Sequence, residues 1–320
     1  MNDAQKTLAR ISFQNKIYSK YGLEFEHFFT QIMNYAYKDF KQIKPQGQIG
    51  DRKNDGYIPT QGVYYQVYAP ENPSSGDTPT KAVKKAKQDF DGLMKYWKAI
   101  CEPKEYYFVF NDKFSGVFPE IEKILSEIQQ KHKLGKCKVF LAKDIEDICF
   151  SKLSDDQIQT IIGFIPFDDS IDILDYSIVS QVIGYIMKNI KPINLQNWEP
   201  PEFDGKIKYN NLSNEIKSIL DSAYYHCGTL EEYFENNSDF ARQEVRDRIK
   251  STYSDVVKDF INRNIKNKSD HVFMEIAGKL MPSNSSNNKQ QKHIQDAVFV
   301  LMAFYFSSCD IFENSPEKKL

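Results

Sequence analysis

Apolar positions recur at helical spacing over residues 8–37, where Leu23, Phe25, Phe28, Phe29, Ile32 and Met33 share a stripe, so the pattern predicts a helix. Residues 45–56 are rich in Gly, Pro, Asp and Asn, a loop composition. The chain then turns into strand. Tyr57-Ile58 and Val63-Tyr64-Tyr65-Gln66-Val67-Tyr68 are β-prone runs joined by Pro59-Thr60-Gln61-Gly62, which predicts a β-hairpin. A polar stretch over 70–79 leads to a helix over 81–100, with Val83, Ala86, Phe90, Leu93, Met94 and Trp97 on one face and mostly lysine on the other. Residues 106–110 read as a buried strand, 120–131 as a helix and 138–141 as a further strand. The string αββαβαβ predicts a three-layer α/β domain around a mixed sheet.

Beyond Asp144 the pattern is mainly helical, with expected helices over 173–188, 214–225, 230–234, 241–264 and 294–306 and a loop over 192–206. Residues 283–291 form a polar low-complexity stretch and read as a solvated loop. The expected division is an α/β domain over 1–168 and a mainly α-helical docking or assembly domain over 169–320.

Composition narrows the classes. The 320 residues allow two domains with cores of their own, and a 41 % hydrophobic content excludes wholesale disorder. A formal net charge of -2 excludes a polycation, so affinity for DNA has to come from a local patch. Cys101, Cys137, Cys149, Cys227 and Cys309 lie far apart without a CxxC pair, which fits reduced thiols and a cytoplasmic setting. The start MNDAQKTLAR lacks the features of a signal peptide. The most apolar run, 297–306, is about half of the ~20 residues that span a bilayer, and reads as a core helix rather than a membrane anchor. The five histidines show no HxH or HxxxH spacing, and neither GxxxxGK[ST] nor GxGxxG occurs, so zinc hydrolase, P-loop and dinucleotide chemistry are unsupported. ATP, if used, is expected on a partner.

The informative stretch is Gly50-Asp51-Arg52-Lys53-Asn54-Asp55-Gly56, with Gln66 on the second strand of the hairpin. Mg²⁺ takes oxygen ligands in near-octahedral geometry and keeps positions for water and phosphate. Asp55 at the mouth of the first strand and Gln66 within the second can face one end of the hairpin, with Glu26 approaching from the first helix and Asp51 assisting. These four are the candidate metal ligands for Mg²⁺ or Mn²⁺.

These residues resemble the Mrr-like branch of the PD-(D/E)xK nucleases: a Glu in the first helix (Phe25-Glu26), a Gly-Asp-x-x-x-Asp-Gly loop, a hairpin and a Gln-x-x on the next strand, over residues 15–150. The resemblance implies a restriction-endonuclease-like α/β fold and metal-dependent hydrolysis of DNA, with Glu26, Asp55, Gln66 and Lys53 as catalytic residues. The branch carries a lysine two residues after the Gln, where this chain has Tyr68. Lys53 is the nearest replacement, and a neutral phenol is a poor substitute for a permanent cation. Lys81, Lys84 and Lys85 on the following helix are alternative donors and candidate DNA contacts. The C-terminal half, from Asp296-Ala297-Val298-Phe299-Val300-Leu301-Met302 to Ser308-Cys309-Asp310-Ile311-Phe312-Glu313, resembles the C-terminal helical domain of effectors in ABC-three-component antiphage systems such as Lamassu. That resemblance implies a nuclease restrained by an SMC-like ABC ATPase and a small middle subunit and released to cleave DNA when invading DNA is sensed. Tyr224, Tyr225, Phe234, Phe299, Phe304 and Phe306 suit a protein interface as well as a core, so a homo-oligomer is expected.

Each residue also has a plainer reading. Asp51 and Asp55 suit any Gly-rich turn, Glu26 suits an exposed helix face, and a lysine run suits a solvated one. Gln66 is harder to set aside, because a buried strand needs a partner for its amide. The expected function is a Mg²⁺-dependent antiphage deoxyribonuclease; the alternatives are a catalytically silent DNA-binding or docking subunit and a free-standing restriction endonuclease.

Overall fold

The computed structural model describes residues 1–43, 52–166, 171, 174–191, 203–237, 239–263, 265–282, 288–308 and 311–313. The chain divides into two compact units, one of Phe13–Ile162 and one of Met1–Ser12 with Gly163–Leu320. The division thus falls a few residues before the expected 168/169 boundary. The first twelve residues go with the helical unit because Leu8 and Ile11 pack into its core and Gln5 Nε2 donates to the Pro166 carbonyl at 2.8 Å.

The helix expected over 8–37 is two helices, α1 (Asp3–Ser19) and α2 (Gly22–Ala36), broken where Gly22 takes φ 51. Asn111 secures the break: its Nδ2 donates to the carbonyls of Ile17 (3.1 Å) and Lys20 (3.0 Å), filling acceptors that the end of α1 leaves open. Then follow β1 (Lys41–Gln42), β2 (Gly56–Ile58), β3 (Val63–Tyr68), α3 (Thr78–Trp97), β4 (Glu105–Phe110), α4 (Pro119–His132), β5 (Lys136–Phe140), α5 (Ala142–Lys152) and α6 (Asp155–Ile162). The strands lie in chain order, with β1–β2 and β2–β3 antiparallel and β3–β4 and β4–β5 parallel, so the sheet is mixed. β1 is too short to show an alternation in the sequence. Prolines in the first turns of α3 and α4 start those helices where no N–H is needed.

Register divides the sheet into two faces. Tyr64, Gln66 and Tyr68 stand beside Tyr106, Phe108 and Phe110, and α3 covers this face with Ala82, Ala86, Phe90, Leu93 and Trp97. The Phe90 ring meets Tyr106 edge-on at 5.0 Å. On the other face Tyr65 stacks on Tyr107, and Phe29 of α2 packs against Tyr65 at 5.7 Å. After β4, the Asp112 carboxylate accepts from Ala142 N (3.0 Å) at the start of α5 and from Gly116 N (2.8 Å).

The helical unit contains α7 (Tyr176–Asn189), α8 (Phe203–Tyr209), α9 (Asn214–Tyr224), α10 (Cys227–Asn237), α11 (Asp239–Phe260), α12 (Lys268–Leu280) and α13 (Asn288–Ser307). Every residue from Ala297 to Phe306 is buried, and α13 packs against α7, α9, α10 and α12. Among the described residues no helix is long and apolar enough to cross a membrane. Asp175 caps α7 and Ser213 caps α9, while Asp270 accepts from Ser213 N at 3.0 Å and so joins the start of α9 to α12.

Two tests follow from these placements. Gly62 closes the hairpin turn at φ 67, and a Cβ there would lie 2.8 Å from the Glu102 carbonyl oxygen. Gly62→Ala is expected to destabilise the α/β unit by about 2 kcal/mol, read from urea unfolding. In the helical unit, burial and then the Arg263 charge push buried His271 down to about 4 from 6.5. The unfolded chain takes up this proton below 6.5 and the folded chain only near 4, so the stability His271 confers above pH 6.5 is lost as pH falls through that window. Neighbouring Asp270, raised by burial, acts in the opposite sense. Thermal melts of wild type and His271→Gln isolate the histidine: wild type should lose on the order of 2–3 kcal/mol more than the variant between pH 7 and pH 4.

Candidate active site

The hairpin delivers the central pair. Asp55 directly precedes β2, and its N–H donates to the Tyr65 carbonyl at 3.2 Å, which extends the ladder by one step. Its Oδ2 accepts from the Gln66 side-chain amide and from Val67 N, both at 2.6 Å, and Asp55 and Gln66 are each 3 % exposed. The two residues singled out in the sequence are therefore in contact. The amide turns its NH₂ to the carboxylate, and Gln66 Oε1 is buried without a hydrogen-bond partner. Asn54, fully buried beside Asp55 in the chain, has neither side-chain atom paired, and the Tyr106 hydroxyl is likewise unpartnered. Each unmet buried polar group costs about 1–3 kcal/mol, so each of these atoms calls for an ordered water or a bound polar group. Burial raises the Tyr106 pKa well above its usual value, and the charges of Asp89, Cys137 and Asp55 add to this. The phenol thus lies within electrostatic reach of two carboxylates and keeps its proton.

Lys53 sits above α3. Its ammonium pairs with Asp89 at 3.1 Å, and Lys85 donates to the other oxygen of the same carboxylate at 2.6 Å. Arg52 and Lys53 both occupy the left-handed region, at φ 59 and 65. The Arg52 guanidinium lies 4.6 Å over the Tyr96 ring, and the Lys53 stem crosses Gly92, where a Cβ would come within 2.9 Å of Lys53 Cγ.

The lysines expected to act together on α3 have three different surroundings. Lys81 is paired with Asp77, Lys84 is exposed, and Lys85 is held by Asp89. Tyr68 stacks on Phe108 and Phe110, and burial raises its phenol pKa, with Lys81 and Asp77 acting on it in opposite senses. Glu26 is half-buried on α2, whose Phe29 packs on the sheet face opposite Gln66. Asp51 lies outside the described residues.

Among the described residues no group of three or more His, Cys, Asp or Glu can hold a metal ion. The hairpin offers two oxygen donors, the Asp55 carboxylate and the unpartnered Gln66 Oε1. That set fits Mg²⁺, which is commonly held by one or two carboxylates together with phosphate oxygens and water. Asn54, Asp89 and Tyr106 were not among the residues expected from the sequence. Asp89 had a readable signal, an acid on the apolar stripe of α3 four residues after Lys85. Asn54 is an ordinary loop residue and Tyr106 an ordinary strand aromatic, so neither stood out.

Fold and site define an α/β unit that carries a buried carboxylate–amide pair beside paired lysines, followed by a separately packed helical unit. Residues 180–313, all within the helical unit, match the family model described as C-terminal domain 10 of the ABC-three component (ABC-3C) systems. No curated protein and no solved structure matches this chain.

Because one oxygen of Asp55 serves two buried donors, Asp55→Ala is expected to lower stability by about 2–4 kcal/mol, while Asp55→Asn, which retains an acceptor, costs less than half as much. Paired urea melts check the difference.

Proposed function

We propose that this chain is the DNA-cleaving subunit of an ABC-three-component antiphage system, hydrolysing phosphodiester bonds with a divalent cation held at the hairpin. The observation that carries the chemistry is the buried Asp55–Gln66 pair with its unpartnered amide oxygen. The match of residues 180–313 supports membership of a multi-subunit defence assembly. The partners we infer are an SMC-like ABC ATPase, a small middle subunit, DNA and further copies of this chain, all in the cytoplasm.

Asp55 and Gln66 would hold Mg²⁺ or Mn²⁺, and Glu26 and Asp51 remain candidates for completing the set. The ion, when bound, supplies charge to the phosphoryl oxygen and lowers the pKa of a bound water. In the hydrolysis a water oxygen bonds to phosphorus, the bridging P–O bond breaks, and the released proton passes to the leaving oxygen through solvent. Lys53 offers a cation to the phosphate in place of the residue displaced by Tyr68. Lys84, exposed on α3, would meet the DNA backbone, and Lys81 would do so by exchanging Asp77 for phosphate.

Two observations favour a second reading, a silent DNA-binding or docking subunit: Tyr68 occupies the lysine position, and no group of three or more acidic, His or Cys ligands occurs among the described residues. Plasmid cleavage in Mg²⁺, Mn²⁺ and EDTA separates the two, assayed with and without partner subunits. Metal-dependent cutting that drops at least a hundredfold in Asp55→Asn, with melting retained, is the expected outcome. DNA binding with no cutting under any of these conditions would leave only the silent subunit.

A further inference from the structure

Asp89 is the one carboxylate on the apolar face of α3, with its side chain 3 % exposed. A single i,i+4 lysine would neutralise it, and Lys85 is in place to do so at 2.6 Å. A second ammonium nevertheless arrives from Lys53, carried by two consecutive non-glycine residues in the left-handed region and admitted by the bare backbone of Gly92. Non-glycine residues held in this region cost free energy and collect where function requires them. The carboxylate is buried, whereas the Lys53 and Lys85 side chains are 50 % and 33 % exposed, so the ammonium groups can reach an incoming anion while anchored from below. Lys53 lies two residues before Asp55 in the chain, and α3, which carries Asp89 and Lys85, covers the sheet face that bears Gln66, so the trio and the hairpin pair share one side of the sheet.

We propose that Asp89 is a positioning residue that holds Lys53 and Lys85 as a paired ammonium receptor for a DNA phosphodiester beside Asp55 and Gln66. This rests on the nuclease reading above and divides between two lysines the role first given to Lys53 alone. Asp89 itself touches neither substrate nor metal. It fixes where two flexible side chains present their charge, which matters for a reaction that depends on the placement of a phosphate.

The test uses the full chain as wild type, Asp89→Asn, Lys85→Ala, Lys85→Arg and Asp55→Asn. Three quantities are read: anisotropy of a fluorescein-labelled DNA duplex in EDTA, cleavage rate in Mg²⁺, and the acetic anhydride reactivity of Lys53 and Lys85 by mass spectrometry. Removing the carboxylate raises the local positive charge but frees the lysines. Asp89→Asn is therefore expected to bind DNA as tightly as wild type or more so, to cleave at least tenfold more slowly, and to acetylate at both lysines at least threefold faster. Lys85→Arg should retain more cleavage than Lys85→Ala. Cleavage by Asp89→Asn within twofold of wild type, unchanged lysine reactivity, or parallel loss of binding and cleavage with a lowered melting temperature each overturns the assignment. If Asp55→Asn is inactive in those cases, the nuclease reading survives and only Asp89 loses its role. A wild-type chain that neither binds nor cleaves DNA overturns both.

Discussion

One carboxylate oxygen organises the candidate site. Asp55 Oδ2 accepts from Val67 N and from the Gln66 amide at 2.6 Å, so a loop residue is tied to both the backbone and a side chain of β3. Charge-assisted bonds of this kind are about twice as strong as neutral ones, and the site is buried, where an unmet donor is costly. The bond to Val67 sets the entry of the chain into β2, the bond to Gln66 fixes which way the amide points, and the outcome is an amide oxygen left without a partner. Hairpin geometry and chemical potential of the site therefore have a single origin.

The same economy recurs after β4. Asn111 fills the open carbonyls of α1, and adjacent Asp112 takes the first N–H of α5. These two residues join helices to the end of β4. The hydrogen-bond partners of both side chains are backbone groups, so their role is to assemble the domain. Burial keeps the Asp112 pKa raised in spite of these bonds.

Much of the architecture was legible because the strands of the α/β unit are short β-prone apolar runs bounded by turn residues. β3 and β4 are largely buried along their length, and α3 carries one apolar stripe. The failures have physical causes. The break between α1 and α2 depends on a left-handed glycine and a distant asparagine, which a local pattern cannot show. Helix α12 is buried on several sides, from Asp270 through Met274, and two of those buried residues, Asp270 and His271, are polar and interrupt its apolar pattern, while α8 is too short to establish one. For the site, Asp55 and Gln66 were legible from spacing on a hairpin, whereas Asp89 became visible only once two lysines from different elements converged on it.

Charge balance explains how a chain with a formal net charge of -2 can present a local basic face. Lysines dominate one face of α3, but their neighbours differentiate them: Asp77 takes Lys81, Asp89 gathers Lys85 with Lys53, and Arg52 rests on Tyr96. Acidic partners thus divide a uniform basic run into positions with different freedom. The exposed charges can exchange one anion for another at little cost, since surface pairs are worth about 1 kcal/mol or less. The pair on buried Asp89 cannot, because leaving that carboxylate unpaired is penalised far more. Placement on this helix is therefore held most firmly where the lysines approach the hairpin, and most loosely at its exposed surface.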